Sequence, residues 1–265
     1  MKNLKNKKVL ITGGARGIGK QIAIEFAKHS SDIIICDLDK SYIEKNDFQD
    51  IEELGVSCFG YHLDVTNYNE IVKIREKILN DVGTIDILIN NAGVVFGGGF
   101  LDIPIEKHKI TYDVNTQGIV NMLHVFLNDL IKQKESHIVN IASASGFTSL
   151  PNGTTYASSK AAVTSFSESL INELKQNNHH HVGMSIICPA YVNTGMFDGV
   201  KEPLFIPMLK LFIVLSLFVR NILCLFKTSN KLMISVLFKS KKLFMCFFGI
   251  IKVWFLVTGK VSLKT

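Results

Sequence analysis

The chain has 265 residues, 47% of them hydrophobic and 20% charged, with a formal net charge of +6. That length suits one α/β domain with a large core, although a count from length alone would allow two. Five cysteines (Cys36, Cys58, Cys188, Cys224 and Cys246) show neither CxxC nor metal-ligand spacing, which argues against a metal centre and for a reducing, cytoplasmic setting.

The opening MKNLKNKK is basic but runs straight into a short apolar strand at residues 9–11, so it lacks the apolar core of a signal peptide. After that strand come Gly13, Gly17 and Gly19, and then an amphipathic helix with Ile22, Phe26 and Ala27 on one face. Glycines at such a junction permit a tight turn and let backbone N–H groups approach a pyrophosphate at the positive end of the helix. The spacing is GxxxGxG rather than the usual GxGxxG dinucleotide fingerprint, a weak signal alone. Its context strengthens it, because DIIICD reads as a second buried strand whose Asp37 stands eighteen residues beyond Gly19, where a ribose hydroxyl should be met. Asp37 could instead simply end the strand in a turn; the ribose reading is favoured.

Strand and helix then alternate. Strands are predicted near Val9, Ile33, Val56, Ile85, His137 and Val182, and helical spacing is clearest over residues 69–79, 105–132 and 156–175. That alternation predicts a parallel, doubly wound sheet with right-handed crossovers. Runs such as IIIC and ILI suit strands buried on both faces. The triplet His179 to His181 follows Asn177 and Asn178 just before a strand and reads as a solvated loop rather than a metal site.

Within NIASASGFTSLPNGTTYASSK, Ser143 precedes Tyr156 and Lys160, and the last two open a helix. An i,i+4 pair shares one helix face, with Cβ atoms roughly 5–6 Å apart, so the lysine charge should act directly on the phenol. A nearby cation favours phenolate, moving a group whose usual pKa is about 10 toward the range where it can pass protons.

The last quarter differs in kind. Residues 201–265 hold eleven Lys/Arg and one acid, a net +10 that leaves the first 200 residues at −4 out of the total of +6. They also hold nine of the eighteen phenylalanines and the sole tryptophan, Trp254. The run of sixteen residues at 204–219 is interrupted by Lys210 and falls short of the ~20 needed to cross a bilayer. An anionic membrane surface is favoured over pure core for this segment, and nucleic acid is a poorer partner because the lysines are interleaved with aliphatic runs.

Taken in order, TGGARGIG at 12–19, LDV at 63–65, NNAG at 90–93, Asn115 in DVNTQG, Ser143, Tyr156 with Lys160, and PAYVNT at 189–194 resemble the short-chain dehydrogenase/reductases. The likeness covers residues 9–196, about three quarters of the chain. It implies a Rossmann-type single domain in which residues 1–197 bind the dinucleotide and carry catalysis, with residues 198–265 as a lid and apolar, basic extension. The resemblance makes Tyr156 the general acid/base, Lys160 its partner and a ribose ligand, and Ser143 the holder of the substrate oxygen. Asn115 would sit where its helix is interrupted and support a water that feeds protons to Lys160. Thr12, Gly13, Arg16, Gly17, Ile18 and Gly19 would line the phosphates. Asp64 and Val65 would meet the adenine, Asn91 and Gly93 would let the chain pass close to the adenosine, and Val192 and Thr194 would close over the carboxamide. Ala190 stands where the family usually has glycine.

Asp37 would hydrogen-bond both hydroxyls of an unphosphorylated ribose and repel a 2′-phosphate, whereas Arg16 argues the other way. Leu38, where phosphate-preferring members often carry a basic residue, tips the expectation to NAD over NADP. VNTGMF at 192–197 with its apolar sequel resembles the retinol and 17β-hydroxysteroid dehydrogenase branch, although the N-terminal hydrophobic anchor of many such proteins is missing. It implies a small lipophilic alcohol or carbonyl as substrate, a homodimer or homotetramer paired through the helix bearing Tyr156 and the one before it, and a place on the cytosolic face of the endoplasmic reticulum or on lipid droplets. The alternatives are a soluble 3-oxoacyl or polyol reductase, and a catalytically silent, nucleotide-binding membrane scaffold.

Overall fold

Short runs rich in Val and Ile fold as strands when helices cover both faces of the sheet, and the computed structural model bears this out. It describes residues 1, 3–45, 48–148, 151–189 and 234–236. The strands are β1 (Lys8–Thr12), β2 (Asp32–Asp37), β3 (Cys58–His62), β4 (Ile87–Asn90), β5 (Ser136–Ile141), β6 (Val182–Cys188) and β7 (Ile234–Val236). They pair parallel throughout, in the order β3-β2-β1-β4-β5-β6-β7.

Alternation along each strand sends side chains to two cores. Val9, Ile11, Ile33, Ile35, Ile87 and Ile89 face Ile22 and Phe26 of α1 (Gly17–Lys28), with Phe48 and with Ile51 of α3 (Gln49–Glu52) beside them. Leu10, Ile34, Leu88, Ile138 and Ile186 face α4 (Tyr68–Asp81), α6 (Gly118–Lys132) and α7 (Thr154–Gln176). Ile22 and Phe26 are fully buried, and each such side chain contributes on the order of 1.5–3 kcal/mol by leaving water. The remaining helices are α2 (Lys40–Lys45) and α5 (Ile105–Tyr112).

The expected doubly wound sheet is therefore present, with differences of detail. The strand predicted near Val56 begins at Cys58, after Gly55 turns the chain at φ 80°. The one helix predicted over 105–132 is two, joined by a π-helical turn, Asp113–Gln117. A widened turn of this kind marks a place where side-chain bonds outside the helix compete with its regular ladder, and Asn115 lies in it. β7 adds a seventh strand beyond the six predicted; the rest of the 198–265 extension lies outside the described residues. Among the described residues no helix is long and apolar enough to cross a membrane.

The strand order reverses at β1, which has β2 on one side and β4 on the other. In open parallel sheets the crevice for a ligand lies beyond the carboxyl ends of the strands at such a switch point. The glycine turn after β1 and the NNAG segment after β4 both emerge there.

Candidate active site

The glycine turn is held from two sides. Gly13 (φ 65°) donates its N–H to the Cys36 carbonyl at 2.8 Å. Just past β4, the Asn91 carboxamide donates to the Thr12 and Gly13 carbonyls at 3.0 and 2.9 Å, while Thr12 Oγ1 accepts from the Asn91 and Ala92 amides at 3.0 and 3.1 Å. A Cβ at Gly19 would stand 2.1 Å from the Gly13 oxygen, so the turn closes only because that atom is absent. Helix α1 then begins with Arg16 at its N-cap, no side-chain cap and no acidic residue in the first turn. Its first amides, among them those of Ile18 and Gly19, have no partner within the helix, and such a cradle fits a pyrophosphate.

Asp37 lies across the mouth of this turn. Oδ2 accepts from the Ala15 amide at 2.8 Å and Oδ1 from the Asp39 amide at 3.0 Å, so one carboxylate ties the glycine turn to the loop after β2. Arg16, next to Ala15, and Leu38, next to Asp37, are both exposed. Asp64 Oδ1 accepts from the Thr66 amide and hydroxyl, both at 2.8 Å. The Val65 side chain packs against α6, where a Cβ on Gly118 would come within 2.7 Å of it.

The catalytic candidates converge at the start of α7. Tyr156 and Lys160 are 8% and 4% exposed, burial that excludes an ordinary surface Tyr and Lys. Lys160 Nζ lies 5.9 Å from the Tyr156 ring centroid and donates to the Ile141 carbonyl at 2.8 Å. Ser143, at the end of β5, hydrogen-bonds the Tyr156 phenol and accepts from the Ser145 amide and hydroxyl at 3.2 and 2.9 Å. Asn115 Oδ1 accepts from the Val94 amide at 2.8 Å, and its Nδ2 donates to the Val94 carbonyl at 2.9 Å and to Ser159 Oγ at 3.0 Å. A Cβ on Gly93 would lie 3.2 Å from Asn115 Oδ1 and 3.5 Å from Lys160 Nζ, which puts all three residues in one neighbourhood.

Electrostatics depart from expectation at Tyr156. Burial pushes its phenol above the usual value, with the Ser143 hydrogen bond pulling the other way. Burial also drives Lys160 down to about 8, so the ammonium that was to acidify the phenol is itself weakened by the same dry surroundings. A sign follows for stability. An unfolded lysine holds its proton up to about 10.4 while the folded one releases it near 8, so unfolded chains bind more protons in between and this group makes folding more favourable as pH rises through that window. Denaturant midpoints measured from pH 7.5 to 10.5 are expected to rise for the wild type relative to Lys160→Met; parallel curves would refute the shift.

The family model of the short chain dehydrogenases matches residues 7–204. The chain belongs to the short-chain dehydrogenase family. It is similar to mouse epidermal retinol dehydrogenase 2 (33% identical over 213 residues, 78% of this chain and 68% of the relative). Human 17-beta-hydroxysteroid dehydrogenase 13 is 33% identical over 194 residues, 73% of this chain and 64% of the relative. Matches to these relatives thus span about two thirds of their length. Among solved structures, a short chain dehydrogenase/reductase from Burkholderia phymatum in complex with NAD aligns at a TM-score of 0.71 and 26% identity, over 88% of this chain and 83% of that one. The reaction class of this short-chain dehydrogenase is that of an NAD(P)-dependent alcohol dehydrogenase or ketoreductase.

Except for Asn115 in the turn between α5 and α6, every expected residue of this short-chain dehydrogenase up to Lys160 lies at the carboxyl end of the sheet or at the start of a helix beside it, while Val192 and Thr194 lie outside the described residues. Among the described residues no group of three or more His, Cys, Asp or Glu is placed to hold a metal ion. Sequence reasoning overlooked Ser159, which receives the Asn115 bond, and a buried chain in which Asn90 donates to Asn140 and Asn140 to Ser167, both at 2.8 Å. Polar residues inside apolar strands were the available signal, since buried polar groups need partners.

Proposed function

We propose that the protein is an NAD-preferring dehydrogenase or ketoreductase of small lipophilic alcohols and carbonyls, with retinoids, steroids or fatty alcohols as the substrate class. The observation that carries the reading is the buried meeting of Ser143, Tyr156 and Lys160 beside a glycine cradle whose mouth is closed by the Asp37 carboxylate. A bound nicotinamide supplies or takes the hydride. Everything else falls to the chain. Tyr156 passes a proton to or from the substrate oxygen, Ser143 holds that oxygen beside the phenol, and Lys160 sets the phenol's field and binds the ribose. Asn115, whose carboxamide is committed to Val94 and Ser159, fixes the helix interruption beside Lys160 and supports a water that feeds protons to it.

Asp37 supports NAD, since its carboxylate repels a 2′-phosphate and accepts from ribose hydroxyls. The lipophilic substrate draws on the retinol and hydroxysteroid relatives, and on the apolar, basic composition of residues 201–265, which suits an anionic membrane surface. The expected placement is the cytosolic face of the endoplasmic reticulum or lipid droplets, as a homodimer or homotetramer. A panel of retinol, hydroxysteroids, medium-chain alcohols, sugars and hydroxy acids, run with each coenzyme, tests both parts. Turnover should favour the lipophilic alcohols, with a lower KM for NAD than for NADP. A preference for sugars or hydroxy acids would overturn the substrate class, and a tenfold lower KM for NADP would overturn the role of Asp37.

A further inference from the structure

Helix α5 and the π-helical turn after it meet α7 along a polar seam. His108, Tyr112, Asn115 and Thr116 recur at helical spacing on one face, and each bonds to the first turns of α7. His108 Nδ1 pairs with Thr155 Oγ1 at 2.5 Å, the Tyr112 hydroxyl with Ser158 Oγ at 2.6 Å, Asn115 Nδ2 with Ser159 Oγ at 3.0 Å, and Thr116 Oγ1 with the Ser159 carbonyl at 3.1 Å. Thr155 directly precedes Tyr156. The first link of the seam therefore acts on the residue next to the proposed acid/base.

His108 also reaches the other way. Its Nε2 lies 3.1 Å from the Phe100 carbonyl, and the two rings are 5.0 Å apart. A carbonyl only accepts, so Nε2 must carry the hydrogen; in the neutral ring Nδ1 is then the acceptor, and Thr155 donates to it. Phe100 lies in the segment between β4 and α5, which also touches the approach to α7 where the Gly98 amide donates to the Asn152 carbonyl at 3.0 Å. Phe100 and Leu101 are 60% and 91% exposed, apolar groups presented just beyond NNAG. One imidazole thus joins that apolar segment to the helix start that aims Tyr156.

We propose that His108 is a positioning residue with two separable tasks. Its Nδ1 fixes the Thr155–Tyr156 turn for proton transfer, and its Nε2 holds the Phe100 segment as a wall for the apolar substrate. This rests on the reading of Tyr156 given above.

The two tasks come apart by side-chain length. His108→Asn places an acceptor where Nδ1 was and loses the Phe100 bond; His108→Gln places a donor near the Nε2 position and loses the Thr155 bond. With retinol and NAD as probes, His108→Asn should raise the KM for retinol about tenfold with kcat little changed, and His108→Gln should lower kcat about tenfold with KM little changed, the size expected for one lost hydrogen bond. Thr155→Val should copy the kcat loss of His108→Gln, and the two together should add nothing further. NAD affinity should be the same in all. Hydrogen exchange by mass spectrometry should show faster exchange over residues 97–103 in His108→Asn alone. Matching kinetics for the two His108 variants, additive losses with Thr155→Val, or unchanged exchange over 97–103 would overturn the proposal. The exchange result does not depend on turnover, so failure of the link is distinguishable from failure of Tyr156 as acid/base.

Discussion

Replacing Tyr156 by phenylalanine should lower kcat by about 10²- to 10⁴-fold, the range that a positioned general acid/base supplies, while the affinity for NAD stays within about twofold. The substitution removes one oxygen from a buried ring and leaves the apolar body in place, so folding should be little disturbed. Ser143 loses its phenol partner but keeps the Ser145 amide and hydroxyl, and Lys160 keeps the Ile141 carbonyl. Steady-state turnover and a coenzyme fluorescence titration on the same preparation make the comparison. Activity that ignores the change would show that the phenol is not the proton carrier. Lost coenzyme binding would instead mean that the ring is a structural wall.

Replacing Gly19 by alanine should have a comparably large effect on binding rather than on chemistry. The new Cβ would stand 2.1 Å from the Gly13 carbonyl oxygen and 2.6 Å from the Asn91 side-chain nitrogen, Nδ2. Neither can swing away cheaply, because one is backbone and the other clamps that same backbone. Overpacking of this sort costs roughly 1–3 kcal/mol in stability, and the turn that relieves it no longer aims its amides at a pyrophosphate. A loss of coenzyme affinity of about 100-fold is expected, on the order of 3 kcal/mol. Gly55→Ala is the control, since it sits at φ 80° with nothing near its added carbon. It should lower the melting temperature through backbone strain alone and leave coenzyme affinity intact. Equal affinity in Gly19→Ala and wild type would remove the glycine turn from the binding site.

Much of this architecture was legible because the signals were local. Apolar runs bounded by turns gave six strands in the right places, and the i,i+4 spacing of Tyr156 and Lys160 did place both on one buried face of α7. Partners across the fold were harder to see. Asn91 reads in sequence as an adenosine neighbour, yet its carboxamide clamps the glycine turn some eighty residues earlier in the chain, and no spacing rule announces such a contact. The phenol's shift failed for a different reason. Spacing reports the nearness of a charge, whereas desolvation depends on everything packed around both groups, and here burial raises the phenol with the Ser143 hydrogen bond opposing it. The break between α5 and α6 is anticipated at Asn115 by the family resemblance, but the bonds it makes to Val94 and Ser159 are concealed by a helical pattern running unbroken through residues 105–132.

The double attachment of Asp37 has a practical corollary for anyone retuning this enzyme. Exchanging that carboxylate for a neutral or basic side chain, to admit a phosphorylated coenzyme, would also release the Ala15 and Asp39 amides it gathers. Selectivity and the shape of the anion cradle are inherited together, so a successful redesign has to supply a substitute acceptor for the freed loop as well as a new counter-charge.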